Sequence, residues 1–249
     1  MKLYDNARTV ADENQILSDF QGRSSACYKN YPHLADIQYT LSARANFDLF
    51  QVKHPKKTVI FIHGGYWQWC NKSDFAFIVP DILAQDCQSI LLEYNLAPHC
   101  AIADIVQQIQ QALDFISEQS WITKDVILVG HSAGAHLAAY HLNHPLISSA
   151  ALISGIYDLA PIQNTHLNQA LNLTKKDVQQ YSPIHQSDAF NKNYTIVYGM
   201  LELEELQWQS QNYFKYRQSL DEEKVSLISC MDENHYSILE HYFKTIFRA

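Results

Sequence analysis

Long apolar runs, basic stripes and paired cysteines are all missing from this chain of 249 residues. No stretch reaches the roughly 18 apolar residues that a membrane-spanning helix needs, so no membrane partner is expected. The N-terminus, Met1-Lys2-Leu3-Tyr4-Asp5-Asn6, continues polar and lacks the apolar run of a secretory signal. Against 26 Asp and Glu stand only 18 Lys and Arg, a formal charge of −8 with His neutral. Nucleic-acid binding is dominated by Lys and Arg contacts to phosphate, so no nucleic-acid partner is expected either. The cysteines (Cys27, Cys70, Cys87, Cys100 and Cys230) are odd in number and scattered. No pair has metal-ligand spacing, and there is no disulfide framework. Reduced thiols in the cytoplasm are the expectation, with no metal and no cofactor.

What is present is an ordinary globular composition, 47% hydrophobic and 18% charged, in a chain long enough to bury a large core as one domain spanning 1–249. From about residue 57 onward, short β-rich apolar runs alternate with helical patterns. The runs fall at 58–62, 89–94, 126–129, 150–154, 194–198 and 225–229. They are near-continuous in apolar residues, as parallel strands buried on both faces are. Helical periodicity falls at 74–85, 102–118, 133–143, 204–220 and 236–247, with 167–179 as a further segment. Strands alternating with helices predict an α/β fold with a doubly wound, mostly parallel sheet. Residues 36–41 and 46–52 lack an intervening helix, so an antiparallel pair at the sheet edge is expected. Helix and loop packing over the top of the sheet are expected before Tyr31.

The segment Gly130-His131-Ser132-Ala133-Gly134 fits G-x-S-x-G, and it follows a strand and opens a helix. In that setting the pattern is a nucleophile elbow, a sharp turn that lifts the serine hydroxyl above the sheet. The Ala133 N–H would then face an incoming carbonyl oxygen. His63-Gly64-Gly65-Tyr66-Trp67 follows the 58–62 strand, and an HGG loop in that place supplies further oxyanion donors from Gly64 and Gly65. These motifs lie about 70 residues apart, in the order of the α/β-hydrolase fold. Serine needs a base, and the fold orders its triad Ser, Asp or Glu, His. His235, after the last strand, is the candidate base. Glu202, three residues beyond Gly199, is the preferred acid over Glu204 and Glu205 in the first helical turn; Asp158 is its rival. Tyr66, Trp67 and Tyr157 are candidates for the substrate wall, with core packing as the alternative.

Four stretches together resemble the kynurenine formamidase (arylformamidase) family of the α/β-hydrolase type. They are His63-Gly64-Gly65-Tyr66-Trp67-Gln68, Gly130-His131-Ser132-Ala133-Gly134-Ala135-His136-Leu137-Ala138, Ser154-Gly155-Ile156-Tyr157-Asp158-Leu159 and Asn234-His235-Tyr236-Ser237-Ile238. The resemblance implies a small-molecule substrate, N-formyl-kynurenine, whose formyl group passes through Ser132. One departure stands out. Where the family has Asp followed by Ser-Pro-Glu, placing Gly199, Glu205 and Gln209-Ser210 in register puts Glu202 at the Asp position and Leu203-Glu204 at Ser-Pro. A carboxylesterase acting on short-chain esters is the alternative reading, and a non-catalytic binding protein on a hydrolase fold is a third. A homodimer stays open.

Overall fold

The apolar runs do assemble into one sheet. The computed structural model describes residues 4–220 and 223–248. Its strands are β1 (Leu34–Gln38), β2 (Asn46–Phe50), β3 (Lys57–Ile62), β4 (Cys87–Leu92), β5 (Val126–His131), β6 (Ser149–Ile153), β7 (Asn193–Gly199) and β8 (Val225–Cys230). Their order is β1-β2-β4-β3-β5-β6-β7-β8. The edge pair is antiparallel as expected, and β2 also runs antiparallel to β4. All pairings from β4 to β8 are parallel. β4 ends at Leu92 rather than at residue 94, because the Tyr94 N–H is taken by the Glu93 carboxylate at 3.0 Å.

Alternate residues of the central strands feed two separate cores. Ile60, Ile62, Ile90, Leu92 and Leu128 face one side; Val59, Phe61, Leu91, Ile127 and Val129 face the other. Helices cover both sides, which is why the runs read as continuously apolar. These helices are α1 (Glu13–Asn30), α2 (Val79–Leu83), α3 (Ile102–Ser117), α4 (Ala133–Tyr140), α5 (Asn168–Leu171), α6 (Lys175–Tyr181), α7 (Glu204–Gln218) and α8 (Ser237–His241). α3, α4 and α7 pack on the first core, α1, α2 and α8 on the second.

Three expected helices come out differently. The 74–85 segment is a 3-10 turn over Lys72–Ile78 followed by the short α2, whose Pro80 lacks the N–H that a continuous ladder needs. The 167–179 segment is two helices, broken where Asn172 turns left-handed at φ 49° and restarted by a Thr174–Asp177 capping box. The last segment passes from α8 into a π-helical turn over Tyr242–Ile246. Nor does α1 lie over the top of the sheet. Phe20 stacks on Phe77 at 4.2 Å, and Ser24 Oγ donates to the Asp74 carbonyl. Its apolar stripe is thereby spent on the second core, beside the 72–78 turn. Among the described residues no helix is long and apolar enough to cross a membrane.

Several histidines are structural. His131, His136 and His141 are buried, and each Nε2 donates to a backbone carbonyl, of His235, Tyr181 and Val106 respectively. Burial holds His136 down at about 4 and His141 at about 3, and lowers His131 well below its ordinary value. The folded protein thus keeps these rings neutral while the unfolded chain protonates them below about pH 6.5. Stability therefore falls as pH drops from 6.5, by about 1.4 kcal/mol per pH unit for each histidine, until the folded ring itself titrates. Denaturant titrations between pH 7 and 5 are expected to show this steep loss. In His136→Gln the slope should flatten by one histidine's share; an unchanged slope refutes the assignment.

Candidate active site

Parallel strands present their C-terminal ends on one edge, and ligands in such sheets bind there. The loops after β3, β5, β7 and β8 carry Gly64, Ser132, Glu202 and His235 to that edge.

Ser132 sits at φ 57°, ψ −120°, between β5 and α4. This left-handed backbone is costly for a residue with a Cβ and persists only where neighbours enforce it. The enforcement is visible on both sides. A Cβ on Gly130 would lie 2.2 Å from the Gly134 carbonyl oxygen, and one on Gly134 would lie 2.0 Å from that of Ile62. Backbone meets backbone with no space between, and the Ser132 N–H is pinned to the Ile153 carbonyl at 2.8 Å. The residue is 2% exposed.

His235 is also buried. Its Nδ1 faces Glu202 Oε2 at 3.4 Å, a loose contact. A carboxylate only accepts, so Nδ1 carries the hydrogen and Nε2 is the free basic nitrogen of the neutral ring. The other Glu202 oxygen, Oε1, is clamped by the Ser154 hydroxyl at 2.5 Å and the Gly199 N–H at 2.7 Å. Asp158 is elsewhere: its Oδ1 accepts from the Ala160 N–H. Glu204 is exposed, and Glu205 Oε1 accepts from Tyr4 and Gln209. Of the four carboxylates considered, His235 faces Glu202. The base is held beside the elbow through His131, the residue before Ser132. The rings of His131 and His235 are 4.6 Å apart, and His131 Nε2 donates to the His235 carbonyl at 2.9 Å.

The glycine loop lies against the elbow, since a Cβ on Gly64 would stand 2.9 Å from the Ser132 Cβ. Gly65 adopts φ 103°, a conformation open to glycine. Among the described residues the Gly64 and Gly65 N–H groups donate to no backbone acceptor, and Ala133 opens α4, where an N–H has no intrahelical partner. Below the loop, His63 is a brace: Nδ1 is 2.7 Å from the Gly64 carbonyl and Nε2 is 2.9 Å from Glu93 Oε1. Burial pushes the Glu93 carboxyl up, but His63, Arg44 and the Lys72 N–H outweigh it and leave it lowered. The loop therefore stands on a buried, charged support.

The three aromatics expected on the substrate wall are packed inside. Trp67 and Tyr157 have no accessible surface, Trp67 against the edge of His136 and Tyr157 stacked on Tyr213 at 4.2 Å. Tyr66 is 9% exposed, and its hydroxyl bonds Tyr4 and Asn6. The accessible apolar groups on these loops are others: Trp69, Met200, Leu201 and Met231, with Trp208 on α7. Two cavities of about 490 and 440 Å³ lie away from the elbow, and neither is lined by Ser132 or His235. Sequence patterns missed Ser154 and His131. Ser154 opens one of the four family-like stretches, but nothing in that stretch marks its hydroxyl as a partner of the acid, and a positive φ of 52° at the end of β6 is invisible before the sheet is built. His131 occupies the variable position of the elbow pattern.

A family model described as BD-FAE matches residues 33–145. The kynurenine formamidase of Salmo salar is 32% identical over 195 residues, covering 73% of this chain and 66% of that protein. The kynurenine formamidase of Danio rerio is 31% identical with the same coverage. The match thus spans just under two thirds of these relatives' length. Among solved structures, a Silicibacter sp. protein described as a thioesterase superposes with a TM-score of 0.86 at 22% identity, over 97% of this chain and 93% of that one. An esterase of Pyrobaculum calidifontis gives 0.74 at 14% identity, over 98% and 94%. At such identities the structures speak for the fold. The fold is that of the α/β-hydrolases, and in sequence the chain is similar to kynurenine formamidases.

Proposed function

We propose that this protein is a serine hydrolase that removes formyl from an aryl amide such as N-formyl-kynurenine. The observation that supports this most directly is the strained Ser132 elbow, with the Glu202-oriented His235 held beside it through His131. The relatives named kynurenine formamidase supply the substrate class. Ser132 Oγ attacks the formyl carbon as His235 Nε2 takes its proton. The N–H groups of Gly64, Gly65 and Ala133 receive the oxyanion, each worth roughly 3–4 kcal/mol of barrier. The tetrahedral intermediate collapses, His235 protonates the departing arylamine, and a formyl ester remains on Ser132. Water, deprotonated by His235, attacks that ester and releases formate. The exposed Trp69, Met200, Leu201, Trp208 and Met231 offer an apolar approach for the aryl ring. The five free cysteines accord with a cytoplasmic setting.

A carboxylesterase for short-chain esters is the second reading, favoured by structural neighbours that are named esterases. Turnover of N-formyl-kynurenine and of short p-nitrophenyl esters separates the two. Wild type is expected to cleave the formyl amide, and Ser132→Ala to lose at least about 10³-fold. Ester turnover without formyl-amide cleavage assigns the second reading. A wild-type protein that resists fluorophosphonate labelling refutes both.

A further inference from the structure

The N-terminal segment carries no recognisable motif, yet its side chains reach three of the loops that compose the active site. The Tyr66 hydroxyl, one residue past Gly65, donates to the Tyr4 carbonyl at 2.9 Å and accepts from Asn6 Nδ2 at 3.0 Å. The Tyr4 hydroxyl donates to Glu205 Oε1 at 2.9 Å, in the first turn of α7, three residues past Glu202. It also accepts from Gln209 Nε2 at 3.2 Å. The Tyr236 hydroxyl, next in sequence to His235, donates to Glu13 Oε1. Tyr4 and Asn6 are 3% and 7% exposed, so this is built contact and not surface chance. The Tyr4 and Tyr66 rings meet edge to face at 6.1 Å. Burial raises the hydroxyl pKa of Tyr4, Tyr66 and Tyr236, which keeps all three as donors.

We propose that residues 4–13 are a strap that sets the oxyanion, acid and base loops in mutual register, with Tyr4, Asn6 and Glu13 as positioning residues. The inference rests on the reading of Ser132 as nucleophile. Each loop leaves a different strand, and the sheet fixes only where each begins. A catalytic constellation needs its groups held to within a fraction of an ångström. Asn6 and Tyr4 together saturate the Tyr66 hydroxyl, one residue beyond the oxyanion donors. Glu13 anchors the residue after the base. Tyr4 joins the first of these loops to the helix behind the acid.

The test is the rate of covalent labelling by a fluorophosphonate, which reads nucleophile and oxyanion geometry without depending on the substrate. Asn6→Ala and Tyr66→Phe are each expected to label about tenfold more slowly. Their kcat should fall in proportion, with KM within about twofold and with the melting transition retained. Both remove the same hydrogen bond, so the double variant should be no slower than the slower single one. Exposed Arg8, on the same segment, provides the control: Arg8→Ala should label as wild type. Labelling of Asn6→Ala at the wild-type rate, or losses that multiply in the double variant, overturns the strap. Should Asn6→Ala fail to fold, Glu13→Ala decides through the base loop: a tenfold slower kcat supports the strap, and a wild-type kcat overturns it. Failure of wild type itself to label refutes the hydrolase reading instead.

Discussion

Glu202→Gln is expected to lower kcat by between about 10² and 10⁴-fold while leaving KM nearly unchanged. The carboxylate touches no substrate; it fixes which His235 nitrogen carries the hydrogen and steadies the imidazolium that forms in the transition state. An amide could present its NH₂ to Nδ1, turn the ring to the wrong tautomer and leave no base for Ser132. The side chain is wholly buried, so water cannot replace it. Its second oxygen makes the prediction specific to glutamate. Ser154 Oγ and the Gly199 N–H hold Oε1, which folds the longer side chain back toward its own backbone and turns Oε2 to His235. Ser154→Ala should therefore cost about 10-fold or more, the value of one hydrogen bond to a charged group. Glu202→Asp, one methylene short, cannot keep the clamp and reach His235 together, so it should fall between wild type and Glu202→Gln. Exposed Glu204 offers the comparison, with Glu204→Gln near wild type. Steady-state kinetics on the four variants decide it; near wild-type turnover by Glu202→Gln would exclude this carboxylate as the acid.

Much of this was legible in the residue pattern, for a physical reason. The nucleophile elbow and the glycine loop are local: the strain at Ser132 and the close approach at Gly64 and Gly65 demand small residues at fixed offsets. The alternation of strand and helix, and the place of His235 after the last strand, follow from the spacing of the apolar runs. Packing across loops is not local. Trp67 and Tyr157 stand beside motif residues, but which way an aromatic ring turns depends on neighbours distant in sequence, here His136 and Tyr213. The acid was narrowed by its loop, yet the clamp from Ser154 spans 48 residues. The N-terminal strap was the least legible part, because residues 4–13 carry no motif and meet Tyr66, Glu205 and Tyr236 through single side-chain contacts distant in sequence.

A methyl group on Gly134 is expected to cost at least about 100-fold in kcat, although Gly134 takes no part in the chemistry. Its Cβ would sit 2.0 Å from the Ile62 carbonyl oxygen and 2.6 Å from that of His63. Real contacts need more than 3 Å, so something must retreat by about 1 Å. Ile62 is pinned in the middle of the sheet, paired with Leu92 on one side and Gly130 on the other. The strain then falls on α4, which carries Ser132 and Ala133 at its start, or on the His63–Gly65 loop. Either movement parts the nucleophile from its oxyanion donors. The overpacked contact should also cost about 1–3 kcal/mol of stability, a fall in Tm of several degrees at this chain length. Gly22 is the counter-example in the same molecule. It lies on the exposed face of α1, and a Cβ there would meet nothing within 4 Å. Gly22→Ala should raise stability by about 0.5–1 kcal/mol, because alanine restricts the unfolded chain and suits a helix interior. Its kcat should stay at the wild-type value. Thermal denaturation and turnover measured on the pair separate glycine needed for contact from glycine merely tolerated; wild-type turnover in Gly134→Ala would show that the elbow and the oxyanion loop need not touch.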